Sequence, residues 1–508
     1  MPRQEESHAD RIGDGYARYA LAVLVLVYVF NFLDRQLPAI LAERIKPDLQ
    51  VGDAQLGYLY GTAFAVFYAL FGIPLGRLAD AWDRPRLIAI GLGLWSLMTA
   101  ASGRAGSFAW LALARVGVGV GEASATPAAY SLLSDYFPAR RRATVLAIYS
   151  SGIYLGSGLG IALGGLIVER WGWRAAFLAA GLPGLLLAAW VGTLREPRRG
   201  MTGMPGAPEP RPWSAFLAEL RSVVPPFTLL QLRWLGASRR ALAANVALGA
   251  LLAVGAAVLT LALGTPGQWW SLALGLYAAG AWGQALRLRD PPSAALIFDT
   301  PSLRSACLGF AWLSFSGYGL TFWIPTFFAR FHEMPLDRVG LVVGGAAAAG
   351  GWLGVTLGGL LADRWRRTSP FGRLRVGLLN AVLPVPLALA MLWVDGTALA
   401  LALSAALHAA MALWLGPGAS TVQDLVLPRM RALASAAFLM AITLVGLALG
   451  PYAMGRLSEA TDDLRVAMSF GLLANLVAAS FFASAMRTLE RDEASVLARA
   501  RSAGEVRS

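Results

Sequence analysis

The stretch GRLADAWDR, at residues 76–84, occurs a second time as GLLADRWRR at residues 359–367. Each copy follows an apolar segment that is long enough to cross a bilayer. A similar offset, about 285–290 residues, separates further matched positions. Gly156, Gly160, Gly165 and Glu169 match Gly446, Gly450, Gly455 and Glu459, and the segment Asp135 to Pro138 resembles Asp424 to Pro428. The chain therefore consists of two related halves.

The composition indicates that lipid is the solvent for most of this chain. Its residues are 57% hydrophobic and only 14% charged, whereas a soluble domain averages about 25% charged residues. The formal net charge is +13, and so basic a chain suggests nucleic acid as a partner. Because the arginine clusters lie between apolar segments, they fit the positive-inside rule instead, and we expect no nucleic-acid binding.

Fourteen apolar segments of spanning length recur along the sequence, in a 6+2+6 order. They cover residues 17–38, 55–77, 87–103, 108–134, 144–168, 175–194, 241–264, 268–288, 302–331, 339–362, 374–393, 399–427, 432–456 and 466–487. The prediction is an all-α polytopic membrane protein with two six-helix bundles and an inserted two-helix hairpin. For the middle pair, at 241–264 and 268–288, the alternative is that one of the two segments is re-entrant or lies at the membrane interface.

The domain boundaries follow from these segments. We predict a cytosolic N-terminal tail (1–16), a six-helix bundle (17–194), a cytosolic linker (195–240) with an interfacial helix near 213–224, a hairpin (241–288), a short linker (289–301), a second bundle (302–487) and a cytosolic tail (488–508). Arginine-rich loops alternate with less basic ones, which places both termini in the cytosol. We expect an integral protein of a bacterial inner membrane.

The repeated stretch resembles the signature loop that follows the second helix in the major facilitator superfamily. Parallel repeats of six helices are one plan for secondary transporters, in which two bundles rock about a central site. In that superfamily the aspartate of the signature stabilises the outward-open state. The resemblance therefore implies a gate at Gly76, Asp80, Arg84, Asp363 and Arg367, although Asp83 stands where the signature usually has glycine.

Within that superfamily, three stretches of the first half look most like the Spinster-like proteins. These are NFLDR at 31–35, RVGVGVGEA at 115–123 and GWRAAF at 172–177. The resemblance implies a proton-coupled carrier of amphiphiles such as lysophospholipids or sphingolipids, working as a monomer in the lipid bilayer. The hairpin at 241–288 departs from the usual twelve-helix members.

Four charged residues lie within predicted spanning helices. Asp34 and Arg35 are in the first, while Arg115 and Glu122 lie two turns apart on nearly one face of the fourth. Each charge would cost about 2.5–3.5 kcal/mol if it faced lipid, so we expect them to face a central cavity. Asp34 and Glu122 are predicted to exchange protons, with the arginines as alternating partners. A static cluster joining the two helices is the alternative, as is a rim position for Asp34 and Arg35.

Polar and aromatic residues on other helices are candidates for the substrate cavity. They are Asn31, Tyr60, Ser316, Tyr318, Trp323 and His408. For each of them packing is the competing interpretation, and His408 in an alanine-rich helix is more typical of a packing residue than of a proton relay. A cavity charged on its N-terminal wall and apolar on the other would suit an amphiphile with a polar head.

Other classes of function lack the residues they need. The chain has one cysteine, Cys307, and three widely separated histidines, which predicts no metal site, no other cofactor and no membrane-embedded enzyme. No phosphate-binding G-x-x-x-x-G-K-[ST] loop occurs, which disfavours ATP-driven transport. Transport of organic anions or drugs stays open, as does a non-transporting receptor built on the same fold.

Overall fold

A computed structural model describes residues 14–197 and 212–505 of the chain. Parts of the predicted N-terminal tail, linker and C-terminal tail lie outside these residues. Every regular element in the two described ranges is helical. In chain order the helices are α1 (Asp14–Leu49), α2 (Asp53–Ala81), α3 (Arg84–Ser102), α4 (Phe108–Glu122), α5 (Ala125–Tyr136), α6 (Ala139–Val191), α7 (Pro212–Val223), α8 (Phe227–Trp234), α9 (Arg239–Leu263), α10 (Pro266–Arg289), α11 (Pro291–Phe298), α12 (Pro301–Phe331), α13 (Leu336–Thr368), α14 (Gly372–Trp393), α15 (Thr397–Asp424), α16 (Pro428–Thr461), α17 (Leu464–Ala494) and α18 (Val496–Ser502).

Ten helical stretches in the described ranges are long and apolar enough to cross a membrane. One of them, Thr144–Val191, is two predicted spans in succession, since Gly172 breaks the helix with a φ of +80°. Glycine adopts this left-handed conformation without steric cost. The remaining predicted spans lie in α3, in the α4–α5 pair and in α10, which fall below the length or the hydropathy of the other ten.

The first helix is longer than its apolar run suggested. We predicted that it ends at residue 38, but α1 continues through Pro38 and Pro47 to Leu49. A proline removes one backbone hydrogen bond, and within a membrane protein neighbouring helices make that loss tolerable. The extension brings Asp48 to the turn after Gly172, where Trp173 and Arg174 donate hydrogen bonds to its carboxylate at 2.9 and 2.5 Å.

The matched glycines explain how the two halves are built alike. Added Cβ atoms at Gly156 and Gly160 of α6 would overlap the α1 backbone at Val29 and Leu33. At Gly446 and Gly450 of α16 they would overlap α12 in the same way. In each bundle, therefore, the fifth helix packs closely on the first, as small residues at four-residue spacing allow.

The hairpin packs beside the bundles with one of its two helices. Helix α9 is only 6% buried across its most apolar window, whereas α10 contacts α2 and α16. The Thr62 hydroxyl of α2 lies 2.6 Å from Oε1 of Gln268 and 2.5 Å from the Ala448 carbonyl of α16. Helix α10 thus touches both bundles along one side of the molecule.

The linker helix α7 covers the end of α2 that carries the repeated stretch. Buried Glu219 of α7 accepts hydrogen bonds from Arg289, at 2.6 and 2.9 Å, and lies 3.5 Å from Nε of Arg77. An interfacial helix was predicted at 213–224, and the observed helix is Pro212–Val223. Its charge pairs attach it to α2 and to the hairpin.

The two bundles meet most closely at the end opposite to α7, which we call the sealed end. It comprises the α1–α2 turn, the end of α12, the start of α13, the part of α6 just before Gly172, and the end of α16. Arg330 of the second bundle donates hydrogen bonds to Glu43 at 2.9 Å and to Asp53 at 2.8 Å in the first. In the predicted topology this end faces away from the cytosol.

Candidate functional site

The four predicted charges form two crossed ion pairs between α1 and α4. Nε of Arg35 donates a 2.6 Å hydrogen bond to Glu122 Oε2. Nη1 of Arg115 lies 3.6 Å from Asp34 Oδ1. The side chains of Asp34, Arg115 and Glu122 are at most 5% exposed, and that of Arg35 is 15% exposed. The structure therefore places all four in the interior, and the interpretation that Asp34 and Arg35 lie at an outer rim is wrong.

Aromatic rings surround the guanidinium of Arg35, the more exposed of the two arginine side chains. The Arg35 Cζ atom lies 4.8 Å from the ring centroid of Phe32 and 4.7 Å from those of Phe64 and Tyr68. Cation–π attraction at such distances stabilises a cation that is partly removed from water. These rings hold Arg35 in place, and 15% of its side chain stays exposed.

Several polar atoms of the crossed pairs lack a hydrogen-bond partner among the described residues. They are Asp34 Oδ1, Glu122 Oε1, and Nε and Nη1 of Arg115. Thr99 of α3 donates to the other Asp34 oxygen. Buried ionised groups are stable only when their remaining donors and acceptors are satisfied. The site is therefore suited to a water, a proton or a substrate group.

A small cavity adjoins Arg115 on the side of the sealed end. Its volume is about 10 Å³, close to the minimum that holds one water molecule. The lining residues are Pro38, Ile45, Leu56, Leu59, Leu111, Arg115 and Phe177. Because Arg115 is the one charged residue among them, a water in this cavity would have a guanidinium donor facing it.

Of the six predicted cavity residues, three lie near the charged site and three bond to groups of the second bundle. Asn31, Tyr60 and Tyr318 lie near the charged site, and the rings of Tyr60 and Phe322 meet at 4.7 Å across the two bundles. The indole of Trp323 donates to the Pro451 carbonyl at 3.0 Å. This bond directs Trp323 toward α16.

The other two predicted cavity residues also make packing contacts within the second bundle. Ser316 donates to Asn475 of α17 at 2.5 Å. His408 is buried, with Nδ1 2.8 Å from the Ser404 carbonyl of its own helix. Ser316 and His408 thus bond to groups of their own bundle.

The predicted gate residues lie at the end opposite to the sealed end. Arg84 is buried and binds Asp135 and Glu196, each at 2.6 Å. Asp80, Asp363 and Arg367 are exposed, and Gly76 is half-buried. In the second half, the Arg373–Asp424 pair corresponds to the Arg84–Asp135 pair of the first half. The repeat therefore extends to the charge pairs, although Arg373 lies six residues beyond Arg367, the residue matched to Arg84.

Sequence reasoning missed part of the site. Thr99, which donates to Asp34, is one of three hydroxyl residues in α3, and no motif distinguishes it from Ser96 and Ser102. The rings of Tyr28 and Tyr149 stack at 4.3 Å, and Tyr130 meets Tyr149 at 5.6 Å. Tyr28 lies on α1, far in sequence from α5 and α6, so only tertiary packing brings it to the other two tyrosines.

Comparison with known proteins supports this architecture. The family model of the Major Facilitator Superfamily matches residues 24–283. A relative described as an MFS-type efflux pump, from Mycolicibacterium smegmatis, is 31% identical over 461 residues, which is 91% of this chain and 89% of that protein. This chain belongs to the Major Facilitator Superfamily.

Within the Major Facilitator Superfamily the chain resembles the Spinster proteins. Human protein spinster homolog 1 is 34% identical over 224 residues, 42% of each chain. A crystal structure of a bacterial homolog of the human lysosomal transporter Spinster, inward-facing and unoccupied, superposes with a TM-score of 0.70. That match is 25% identical and covers 95% of this chain and 99% of the other. The fold and the family are therefore those of transporters, as the repeated stretch predicted.

Proposed function

We propose that this protein is a secondary active transporter that moves an amphiphilic substrate by proton-coupled alternating access. The substrate class is that of lysophospholipids or sphingolipids, with a charged head and an apolar tail. The observation that carries this proposal is the pair of crossed ion pairs, Asp34–Arg115 and Glu122–Arg35.

The crossed pairs offer a physical route from proton binding to movement. With both carboxylates ionised, the two pairs are neutral overall. Protonation of Asp34 or Glu122 leaves its arginine unpaired inside the membrane, where an uncompensated charge is costly. The cost is relieved when the bundles rearrange or when an anionic group binds the free guanidinium. Proton binding and substrate binding thereby become linked.

The distribution of charge supports an amphiphile. The four charges of the crossed pairs belong to α1 and α4 of the first bundle, whereas the facing helices of the second bundle present mainly aromatic and apolar side chains near Tyr60. A substrate with a polar head and an apolar tail matches these two unlike walls. The likeness to Spinster proteins agrees with this choice.

A second candidate is the export of organic anions or drugs. The M. smegmatis relative that aligns with 91% of this chain is described as an efflux pump. The same arginines would bind the carboxylate or phosphate of a small anion. Both candidates require the carboxylates of the crossed pairs for proton coupling, and they differ in the substrate.

The architecture that accompanies this proposal has fourteen membrane spans and both termini in the cytosol of a bacterial cell. In that topology the sealed end faces outward, the side that is closed in an inward-facing carrier such as the solved Spinster homolog. Asp80, Asp363 and the other predicted gate residues would close the opposite end later in the cycle. We propose that the transporter works as a monomer, with a hairpin of two spans between its bundles.

The test is lysophospholipid flux into proteoliposomes under an imposed pH gradient. Wild-type protein is compared with Asp34→Asn and Glu122→Gln, which remove a charge and keep the side-chain shape. Asp462→Asn is the matched control, because Asp462 is exposed in a turn between α16 and α17. We expect gradient-driven flux in the wild type and the control, and a loss of at least about ten-fold in either site variant.

Three other outcomes would change the assignment. Flux that persists in both site variants would show that the carboxylates are structural. Flux of organic anions or drugs without lysophospholipid flux would select the second candidate. Substrate binding without flux of any solute would identify a non-transporting receptor on this fold.

A further inference from the structure

A five-residue pattern, glycine followed four residues later by glutamate, lies just before the break at Gly172 in α6 and near the end of α16. It reads GLIVE at residues 165–169 and GRLSE at residues 455–459. Both copies lie at the sealed end, where each faces a helix of the other bundle. The function proposed above does not use them.

The first copy joins α6 to the start of α13. A Cβ at Gly165 would overlap the carbonyl oxygen of Leu336, so the two backbones approach closely there. One turn later, Glu169 Oε1 accepts a 3.0 Å hydrogen bond from the amide of that same Leu336. Arg44 supports the carboxylate from α1, at 3.1 Å. Glu169 thus satisfies a backbone donor of a helix in the opposite bundle.

The second copy repeats this geometry in the other direction. A Cβ at Gly455 of α16 would overlap the carbonyl oxygen of Asp53 at the start of α2. Glu459 Oε1 accepts a 3.0 Å hydrogen bond from the amide of Ala54. Here Arg456 is the supporting cation, at 3.4 Å. The two contacts are related by the internal repeat.

Neither receiving helix has a side-chain cap from its own N-cap residue. The N-cap position is Pro335 for α13 and Gly52 for α2, and neither caps with its side chain. The first amides of a helix need an external acceptor, and a carboxylate there is also favoured by the helix dipole. A Cβ at Gly52 would collide with the Glu459 carboxylate. The small residue at the N-cap therefore leaves room for the glutamate.

The start of α2 makes further ion pairs that the start of α13 lacks among the described residues. Asp53 bonds to Lys46 at 2.7 Å, to Arg330 at 2.8 Å and to Ser458 at 2.9 Å. On the other side the first-turn acid of α13, Asp337, bonds to the amide of Arg338 in its own turn. Asp337 therefore offers a control acid that does not bridge the bundles in the described structure.

We propose that Glu169 and Glu459 are a symmetric latch that holds the sealed end closed by capping a helix of the opposite bundle. When the bundles separate at this end, both carboxylates lose their amide partners and both helices lose their caps. The latch therefore sets the balance between the two orientations of the carrier. It goes beyond the function proposed above, because it acts in the same way for any substrate.

The experiment measures the width of the sealed end directly. Spin labels are attached to cysteines at Gly106 and Asp395, two exposed loop positions in opposite bundles at that end, with Cys307 replaced by alanine. Distances are recorded by pulsed electron resonance in lipid nanodiscs. The variants are Glu169→Ala, Glu459→Ala, their double, Gly52→Ala, and Asp337→Asn as the control.

Each glutamate variant is expected to raise about five-fold the population of molecules in which the bundles are apart at the sealed end. This factor corresponds to the loss of about 1 kcal/mol for one helix cap. The double should raise it roughly 25-fold, and Gly52→Ala should resemble Glu459→Ala while keeping both glutamates. Asp337→Asn should leave the distances unchanged. An unchanged distance in the folded double variant, or a response to only one glutamate, would overturn the symmetric latch. Neither result depends on lysophospholipid flux, so the latch and the proposed function fail separately.

Discussion

At the scale of single residues, the site is governed by how four charges share one apolar interior. Two of the four, Asp34 and Arg35, are neighbours in sequence, yet each pairs with a residue of α4: Asp34 with Arg115 and Arg35 with Glu122. Consecutive residues on a helix point in different directions, so a pair of neighbours reaches two partners two turns apart. This arrangement keeps the site neutral while α1 and α4 stay together.

The Asp34–Arg115 pair should show strong coupling in a double-mutant cycle. Asp34→Asn or Arg115→Gln alone leaves one buried charge unpaired, which typically costs about 3–5 kcal/mol. The double variant removes both charges and should be less destabilised than the sum of the two single variants. Thermal unfolding of the purified protein in detergent measures all four states. Additive losses would show that the 3.6 Å contact carries little energy.

At the scale of helices, small residues decide which surfaces meet. Along α13, Gly350 lies against α15, where an added Cβ would be 2.7 Å from the Ala405 carbonyl oxygen. Gly345 on the same helix has open space at this position. Because both glycines lie in the same helix, a comparison of substitutions at the two positions separates the effect of helix propensity from the effect of packing.

Gly350→Ala and Gly345→Ala should therefore have opposite effects on stability. Overpacking at Gly350 is expected to cost about 1–3 kcal/mol, because the facing α15 backbone must move. At Gly345 alanine should be neutral or stabilising by up to about 1 kcal/mol, since alanine favours helix more than glycine does. Unfolding temperatures compared in one detergent test this. Equal effects would mean that close packing on α15 does not limit the position.

At the scale of the whole molecule, separate segments converge on Arg429 at the end opposite to the sealed end. Arg429 precedes the apolar part of α16, and it binds Asp290 after the hairpin and Glu505 in the C-terminal tail. Partial burial would raise the pKa of Asp290, but hydrogen bonds from Arg429 and Ser293 outweigh it and lower that pKa below its ordinary value. The hydrogen bond from Arg429 lowers the pKa of Glu505.

Attachment of the tail should therefore depend on pH in the acidic range. A carboxylate with a depressed folded-state pKa contributes its full stability above the ordinary pKa, near 4, and loses it as the pH falls through the lower folded-state pKa. Hydrogen exchange of the amides in α18 should thus stay slow from pH 7 to about 5 and accelerate, after correction for intrinsic rates, at lower pH. Arg429→Gln should remove this transition. Protection that is equal in the wild type and this variant would contradict the prediction.

Much of this architecture was present in the sequence because lipid imposes strong rules on it. Apolar segments of spanning length and the repeated stretch at 76–84 and 359–367 led to the superfamily, which the comparisons confirmed. The four charges among apolar residues led to the candidate site. The matched glycines predicted close packing of α6 and α16, and the structure has it. These signals are local, since each depends on the composition and spacing of one or two helices.

Only the tertiary structure decided which partners those residues bind. The crossed pairing joins positions 87 residues apart, from Arg35 to Glu122, and the latch contact from Ala54 to Glu459 joins positions 405 apart. The sequence by itself determined which helices exist and that their charges must be buried, because the cost of exposing charge to lipid does not depend on the fold. The choice of partner, and of the end at which the bundles close, depends on how the helices are arranged in three dimensions, which periodicity within one helix does not encode.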